Sequence, residues 1–177
     1  MNIALFYYIA GIYFDSTNNQ LLISDNRNNR FKVLDFNCKI FLFSLFLFPF
    51  LFWNSKINQK TIKVDNVTTI FGNGSTPYPS IDGPVSIATI NQPQGISIHP
   101  ITQEVYIAEN GGQNIRGWNR TSQTVRTVVS LGLNLYPLYL DFLNDGTFFI
   151  TTGNRLYELF TNGLFVFSEI KNLKERL

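Results

Sequence analysis

The stretch AGIYFDSTNNQLLISDNRNNRF (residues 10–31) has a counterpart further along the chain, QGISIHPITQEVYIAENGGQNI (residues 94–115). Each begins with Gly-Ile, continues as an alternating strand, turns at Asp15 or His99, and enters a second strand that ends in an acidic residue. A turn rich in Gly and Asn follows in both. Alternation with period two predicts half-buried strands, and such turns predict hairpins between them. An internal repeat of hairpins therefore predicts an all-β repeat architecture.

Extended over the chain, the alternation predicts three units, each an antiparallel meander of four strands. The predicted strands are 11–14, 20–24, 30–34 and 67–71 in the first unit, 95–98, 104–108, 114–118 and 124–129 in the second, and 138–142, 147–151, 155–160 and 164–168 in a degenerate third. Tandem four-stranded units are typical of propeller blades. The predicted fold class is all-β: a partial β-propeller of about three four-stranded antiparallel blades, with a Phe-rich hydrophobic insert in the first blade.

The repeat also predicts the domain organisation. The predicted segments are a first blade (1–37 and 60–74), an insert (38–59), an inter-blade crossover (75–92), a second blade (93–132), and a degenerate third blade with a C-terminal tail (133–177). The crossover is rich in Pro and Gly, so we expect no regular strand in it. A closed propeller has about 4–8 blades. Three blades therefore predict an incomplete array, whose missing blades would come from a longer chain or from oligomerisation.

Seven positions carry a resemblance to the NHL-repeat family, whose blades typically read Pro-x-Gly-Ile, an Asp-containing turn, a strand, Ala-Asp-x-x-Asn and then Arg-Ile. The matching residues are Gly11, Asp25, Arg30, Pro93, Gly95, Glu109 and Asn114. Glu109 stands where Asp is usual and Asn114 where Arg is usual, and the third unit is recognisable mainly by its strand spacing. The resemblance implies a non-enzymatic scaffold for protein–protein interaction. It also implies two alternatives: a fragment of a strictosidine-synthase-like or lyase-like propeller enzyme, and an RNA-binding propeller.

Several side chains are assigned structural roles. Asp25 ends one strand and Arg30 opens the next, so we expect a salt bridge across their turn. Tyr106 and Trp118 are interpreted as packing between blades. His99, the single histidine, stands at the turn position where the first unit has Asp15, so we predict a turn residue there.

The polar residues favour binding over chemistry. The 14 basic and 12 acidic residues give a net charge of +2, without the clustered basic face of a nucleic-acid binder. A protein partner is therefore favoured over RNA. The separated carboxylates are interpreted as turn and surface residues; they are Asp82, Glu104, Asp141 and Asp145. No paired His or Cys spacing indicates a metal site, and the single Cys38 excludes an intrachain disulfide. We predict no catalytic, cofactor-binding or metal-binding residue and no cofactor.

Residues 40–53, IFLFSLFLFPFLFW, differ in composition from the rest of the chain. One hypothesis is a retained intron from an AT-rich genome, favoured because joining residues 34–35 to 61–65 restores the turn length of the second unit. The second hypothesis is a membrane segment, although a helix that spans a membrane needs about 20 apolar residues. A buried or aggregating loop is the third. Membrane association follows only if residues 40–53 are expressed. The start of the chain lacks the basic region of a secretory signal, so the cytoplasm is favoured while the compartment stays open.

Overall fold

The computed structural model describes residues 6–35, 66–132, 134–153, 155–159 and 168–169. The regular structure of this part of the chain is β-strand, apart from a short 3₁₀ turn at Asn26–Asn28. The insert predicted at residues 38–59, with Cys38, lies outside the described residues, as does most of the strand predicted at 164–168. None of the described segments forms a helix long and apolar enough to cross a membrane.

The strands form three antiparallel sheets. The first contains β1 (Ile9–Asp15), β2 (Gln20–Asp25), β3 (Arg30–Asp35) and β4 (Asn66–Phe71), paired in chain order. The second contains β6 (Pro93–Ile98), β7 (Val105–Glu109), β8 (Asn114–Asn119) and β9 (Thr124–Ser130), with β5 (Gly83–Pro84) added beside β9. The third contains β10 (Pro137–Phe142), β11 (Phe148–Thr152), β12 (Arg155–Leu159) and β13 (Ser168–Glu169). The fold is therefore all-β, as the alternation predicted.

The second sheet departs from the predicted four strands. Gly83 pairs with Val125 and Pro84 with Thr124, so the crossover contributes a short fifth strand where none was expected. Proline lacks an N–H donor, but it is tolerated at the edge of a sheet, where one side of the strand needs no partner. The turn that follows is held by hydrogen bonds from the backbone N–H groups of Ile87 and Ala88 to the carbonyl of Pro84.

Two hydrophobic cores join neighbouring sheets. The core between the first and second sheets consists of Leu22, Phe31, Val33, Phe71, Ala88, Ile90, Ile96, Val105, Ile107, Trp118 and Val125. The core between the second and third sheets consists of Tyr106, Ala108, Ile115, Val129, Leu131, Leu140, Phe148, Ile150 and Tyr157. The predicted packing roles of Trp118 and Tyr106 are confirmed, since each is almost fully buried in one of these cores.

The first strands of the three sheets, β1, β6 and β10, lie side by side. Two repeated glycines permit this approach. A Cβ atom at Gly11 would lie 2.2 Å from the carbonyl oxygen of Gln94, and one at Gly95 would lie 2.8 Å from that of Leu138. No side chain fits at those distances, so the Gly-Ile pair of the repeat has a steric cause.

Candidate functional site

A cleft of about 260 Å³ opens where the C-terminal ends of β1, β6 and β10 converge. Its lining is drawn from these strands and the turns that follow them, and includes Tyr13, Asp15, Ser97, Gln103, Asp141 and Asn144. Three of these residues occupy the same position of the repeat, two residues beyond Gly11, Gly95 and Tyr139 respectively. They are Tyr13, Ser97 and Asp141.

This trio contrasts with its neighbours in the repeat. The preceding position is apolar in every unit, as Ile12, Ile96 and Leu140, because Ile96 and Leu140 pack in the cores between sheets. The chemistry of the trio differs from unit to unit, since the three residues present a phenol, a hydroxyl and a carboxylate. The Ser97 hydroxyl donates to Oδ1 of Asp141 at 3.0 Å, which joins the second and third sheets at the cleft.

The cleft has an acidic character. Burial raises the pKa of the Tyr13 phenol, and the charges of Asp141 and Asp15 raise it further, so Tyr13 stays protonated at neutral pH. Burial alone would raise the pKa of Asp15, but hydrogen bonds from Asn18 and Arg120 outweigh it and lower that pKa. Asp15 is paired with Arg120, whereas Asp141 forms no ion pair among the described residues. Asp141 therefore supplies the uncompensated negative charge.

Two equivalent turns border the cleft. Oδ1 of Asp15 accepts hydrogen bonds from the backbone N–H groups of Thr17 and Asn18, at 3.1 and 3.2 Å. Nδ1 of His99 accepts two from Ile101 and Thr102, both at 3.2 Å. His99 is thus a turn residue, as its position in the repeat predicted.

The acidic residues of the repeat signature hold the chain segment that enters the first and the second sheet. Oδ1 of Asp25 accepts from the backbone N–H of Tyr7 at 2.8 Å, and Oε1 of Glu109 accepts from that of Asn91 at 2.8 Å. Asn114, at the position usual for Arg, donates to Oε2 of Glu109 at 2.9 Å. Glu109 therefore has a structural role.

The expected salt bridge between Asp25 and Arg30 is replaced by another pair. Asp25 and Arg30 are partners in the register of β2 and β3, but Asp25 forms its ion pair with Lys32, at 2.6 Å. Asp25 and Lys32 are both buried, while Arg30 is half-exposed. A buried carboxylate is stabilised best by a cation that is buried beside it, which favours Lys32.

Sequence reasoning missed the matching cation of the second sheet. Arg116, like Lys32, is the third residue of its strand and lies near the acid of its unit, with Nε 4.0 Å from Oε2 of Glu109. Its guanidinium also binds Asp82 at 2.6 Å and donates to the carbonyl of Ile81 at 2.9 Å. A basic residue at the same strand position in both units was the available signal.

Two asparagines join neighbouring sheets, and sequence reasoning missed these as well. Nδ2 of Asn26 donates to the carbonyl of Pro93 at 3.0 Å, and Nδ2 of Asn110 donates to the carbonyl of Pro137 at 3.3 Å. Each asparagine directly follows the acid that ends the second strand of its sheet. The signature residue Pro93 thus contributes a backbone acceptor between sheets.

The four carboxylates interpreted as turn and surface residues divide into different roles. Asp145 is a turn residue that accepts from the backbone N–H of Thr147 at 2.9 Å. Glu104 pairs with Arg126 at 2.7 Å, and Asp82 pairs with Arg116. Asp141 is exposed in the cleft, on the inner strand that the alternation predicted at 138–142. Glu104 requires a correction, because it is buried rather than at the surface. The described residues contain no group of three or more His, Cys, Asp or Glu side chains arranged to hold a metal ion.

No family model and no curated protein matches the sequence. Solved structures do resemble its fold. Virginiamycin B lyase from Staphylococcus aureus is 14% identical with a TM-score of 0.56, over 93% of this chain and 42% of that one. An auxiliary nutrient binding protein from Bacteroides ovatus is 13% identical with a TM-score of 0.54, over 78% and 33%. A functionally unknown protein from Desulfotomaculum acetoxidans is 15% identical with a TM-score of 0.52, over 96% and 43%.

These neighbours are propeller-type proteins, so the likeness shows a propeller-like fold. At such identities it shows the fold alone. This chain spans less than half the length of each of the three structures.

Proposed function

We propose that the chain is a non-enzymatic NHL-type propeller scaffold, an incomplete array of three blades, which binds a protein partner at the cleft. The three sheets correspond to the blades, with β5 as an addition to the second. The supporting observation is the trio Tyr13, Ser97 and Asp141. The packing between sheets fixes the apolar residues of the repeat, whereas this position lines the cleft with a different donor or acceptor in each unit, so it is suited to recognising a ligand.

The chemistry of the cleft favours a basic or hydroxyl-bearing side chain as the group it receives. Asp141 offers an uncompensated carboxylate, and Tyr13 offers a protonated phenol. At about 260 Å³ the cleft is slightly smaller than the roughly 300–1,000 Å³ of pockets that enclose drug-sized ligands. It is therefore suited to one or two side chains of a partner. Phosphate groups would be repelled by Asp141, which disfavours RNA at this site.

The test is selection of peptides from a displayed random library on the full chain. Peptides rich in Lys, Arg or Ser are expected, and their dissociation constants should rise about tenfold or more on Asp141→Asn, because loss of one charge-assisted hydrogen bond costs about 1.5–3 kcal/mol. Fluorescence anisotropy of each labelled peptide measures the change.

Asp145→Asn is the matched control. It removes a carboxylate from the same hairpin, outside the cleft, and should leave the affinity unchanged. Peptides that bind wild type and Asp141→Asn equally well would place the binding surface elsewhere and contradict the proposal.

A second candidate is a fragment of a lyase-like propeller enzyme. It is favoured by the position of the Tyr13 phenol beside two carboxylates in the cleft. Because its pKa is raised, this phenol is a weak acid that would donate a proton only to a strongly basic group of a substrate. Tyr13→Phe separates the two candidates. A binding site would lose part of its affinity, whereas an acid catalyst would lose turnover while substrate binding persisted.

A further inference from the structure

The third sheet lacks the buried acid that ends the second strand of the other two sheets. Thr152 occupies this position, because its register partner is the first residue of β10, as the partners of Asp25 and Glu109 are the first residues of β1 and β6. Asp25 and Glu109 are fully buried. Threonine has a shorter side chain and no charge, so the third sheet has no carboxylate at the place where the other two sheets bury one.

The second sheet shows which donors bind the carboxylate at this place. Glu109 accepts from the backbone N–H of Asn91, two residues before β6, at 2.8 Å, and from Nδ2 of Asn114, its register partner on β8, at 2.9 Å. In the first sheet, Asp25 accepts from the backbone N–H of Tyr7, two residues before β1. A backbone N–H of the entering segment is thus common to both sheets, and the second sheet adds a side-chain donor from the next strand.

The third sheet keeps both donor positions although its acceptor is lost. The residue two positions before β10 is Leu135, and the register partner of Thr152 on β12 is Arg155. Arg155 also contacts the hydroxyl of Tyr157 at 3.5 Å, but a guanidinium has five N–H donors and can bind several acceptors at once. Because Arg155 stands where the second sheet has Asn114, the third sheet adds a positive charge beside the position of the lost acid.

A pocket of about 550 Å³ opens at this position. Leu135, Thr152 and Arg155 all line it, and its wall includes the side chains of Tyr136 and Leu138. Its volume falls within the roughly 300–1,000 Å³ of pockets that enclose small ligands. It shares no lining residue with the cleft, because it lies at the beginning of β10 and the cleft lies where β10 ends.

We propose that this pocket binds a small organic carboxylate, whose carboxyl group takes the place of the missing acid. The backbone N–H of Leu135 and the guanidinium of Arg155 donate to the carboxylate, and the apolar body of the ligand contacts Tyr136 and Leu138. Hydrogen bonds between a guanidinium and a carboxylate are charge-assisted and often bidentate, which favours an anion over a neutral ligand of the same shape. The site is independent of the cleft and of the function proposed for it.

The first experiment titrates the full chain with benzoate in a calorimeter. Benzoate is expected to bind with a dissociation constant of about 1 mM, a strength usual for so small a ligand. Benzamide has the same shape without the charge and should bind at least about tenfold more weakly. Arg155→Gln should weaken benzoate binding about tenfold or more, whereas Arg126→Gln, which changes an exposed arginine of the second sheet, should leave it unchanged. Circular dichroism of each variant reports whether the sheets are retained.

A second experiment restores the acid of the repeat. Thr152→Glu should abolish benzoate binding and raise the melting temperature by about 2–4 °C, because its own carboxylate then occupies the site. Thr152→Gln has the same shape without the charge and should raise the melting temperature less.

Three results would overturn the proposal. They are the absence of benzoate binding to wild type, equal binding of benzoate and benzamide, and benzoate binding that persists in Thr152→Glu. A carboxylate can also come from a protein chain, so a short peptide with a free C-terminus is titrated in parallel with its amidated form. If the free peptide binds more tightly than benzoate and the amidated form does not bind, the pocket receives a protein carboxylate and the small-ligand proposal is wrong.

Discussion

At the residue scale, one turn position of the repeat accommodates two different side chains because each provides a hydrogen-bond acceptor for the backbone of the turn. Asp15 uses a carboxylate oxygen and His99 uses Nδ1 to receive two backbone N–H groups of the following turn. The His99 ring also packs on Phe142, with a centroid separation of 5.0 Å. Acceptance at Nδ1 requires the neutral imidazole with its proton on Nε2. Alignment of the two repeat units was enough to predict that His99 is a turn residue. The contact between the His99 ring and Phe142 could not be predicted in this way, because it forms only when the third sheet packs beside the second.

His99 gives the fold a dependence on pH. Burial lowers the pKa of His99 below its usual 6.5 more than the nearby Glu104 raises it. The unfolded chain therefore takes up a proton first, so stability is full above pH 6.5 and declines as the pH falls through the folded pKa. Urea denaturation of wild type at pH 7.5 and 5.5 should show this loss. His99→Asn keeps an acceptor without a titrating ring, and it should remove the loss in this window.

His99→Phe completes the comparison, because it keeps the ring contact and loses the acceptor. It should cost about 1 kcal/mol at pH 7.5. The same pH dependence in wild type and in His99→Asn would show that another group titrates.

At the scale of the element, steric exclusion limits which residues the inner strands can carry where they pack side by side. Gly11 and Gly95 lie against the backbone of the next inner strand, so a methyl group has no space there. The sequence predicted these glycines as repeat signature, but their steric reason involves residues more than 40 positions away, such as Leu138 for Gly95. Tyr139 occupies the same position of the third unit and is 59% exposed, because among the described residues no inner strand of a further sheet packs beside it.

The substitution Gly95→Ala should therefore destabilise the fold by at least about 1–3 kcal/mol, since the backbone of β6 or β10 must move. Gly11→Ala should cost as much or more, because the contact to the Gln94 carbonyl is closer. Tyr139→Ala is the matched control and should cost little. Midpoints of urea denaturation measure all three variants, and equal midpoints for wild type and Gly95→Ala would refute the steric account.

At the scale of the whole molecule, buried polar groups join the crossover to the second sheet. Arg116 is fully buried and contacts Asp82 and the carbonyl of Ile81 in the crossover, and Thr127 of β9. Sequence reasoning assigned no role to Arg116. Its partners come from segments up to 35 residues away, so only the folded chain brings them together.

Arg116→Met should destabilise the chain by about 3 kcal/mol, because it leaves the buried Glu109 and the backbone acceptors of the crossover without their cation. Arg126→Met is the comparison: Arg126 is half-exposed in its pair with the nearly buried Glu104, so water can replace much of the lost interaction and the cost should be smaller, about 1 kcal/mol. Urea midpoints at pH 7 give both values. An equal loss of stability in the two variants would show that Arg116 is not the main group that holds the crossover to the second sheet.

The sequence by itself determined the hairpin turns, the repeat and most of the described strands, because these depend on alternation and on turn residues that are neighbours along the chain; the short strand β5 was not predicted. It also determined that His99 replaces Asp15. Tertiary structure alone decided that Lys32 rather than Arg30 pairs with Asp25, and that Tyr13, Ser97 and Asp141 meet in one cleft. These outcomes depend on burial and on contacts between sheets. The local sequence pattern contains no information about burial or about contacts between sheets, because both arise only when the inner strands lie side by side.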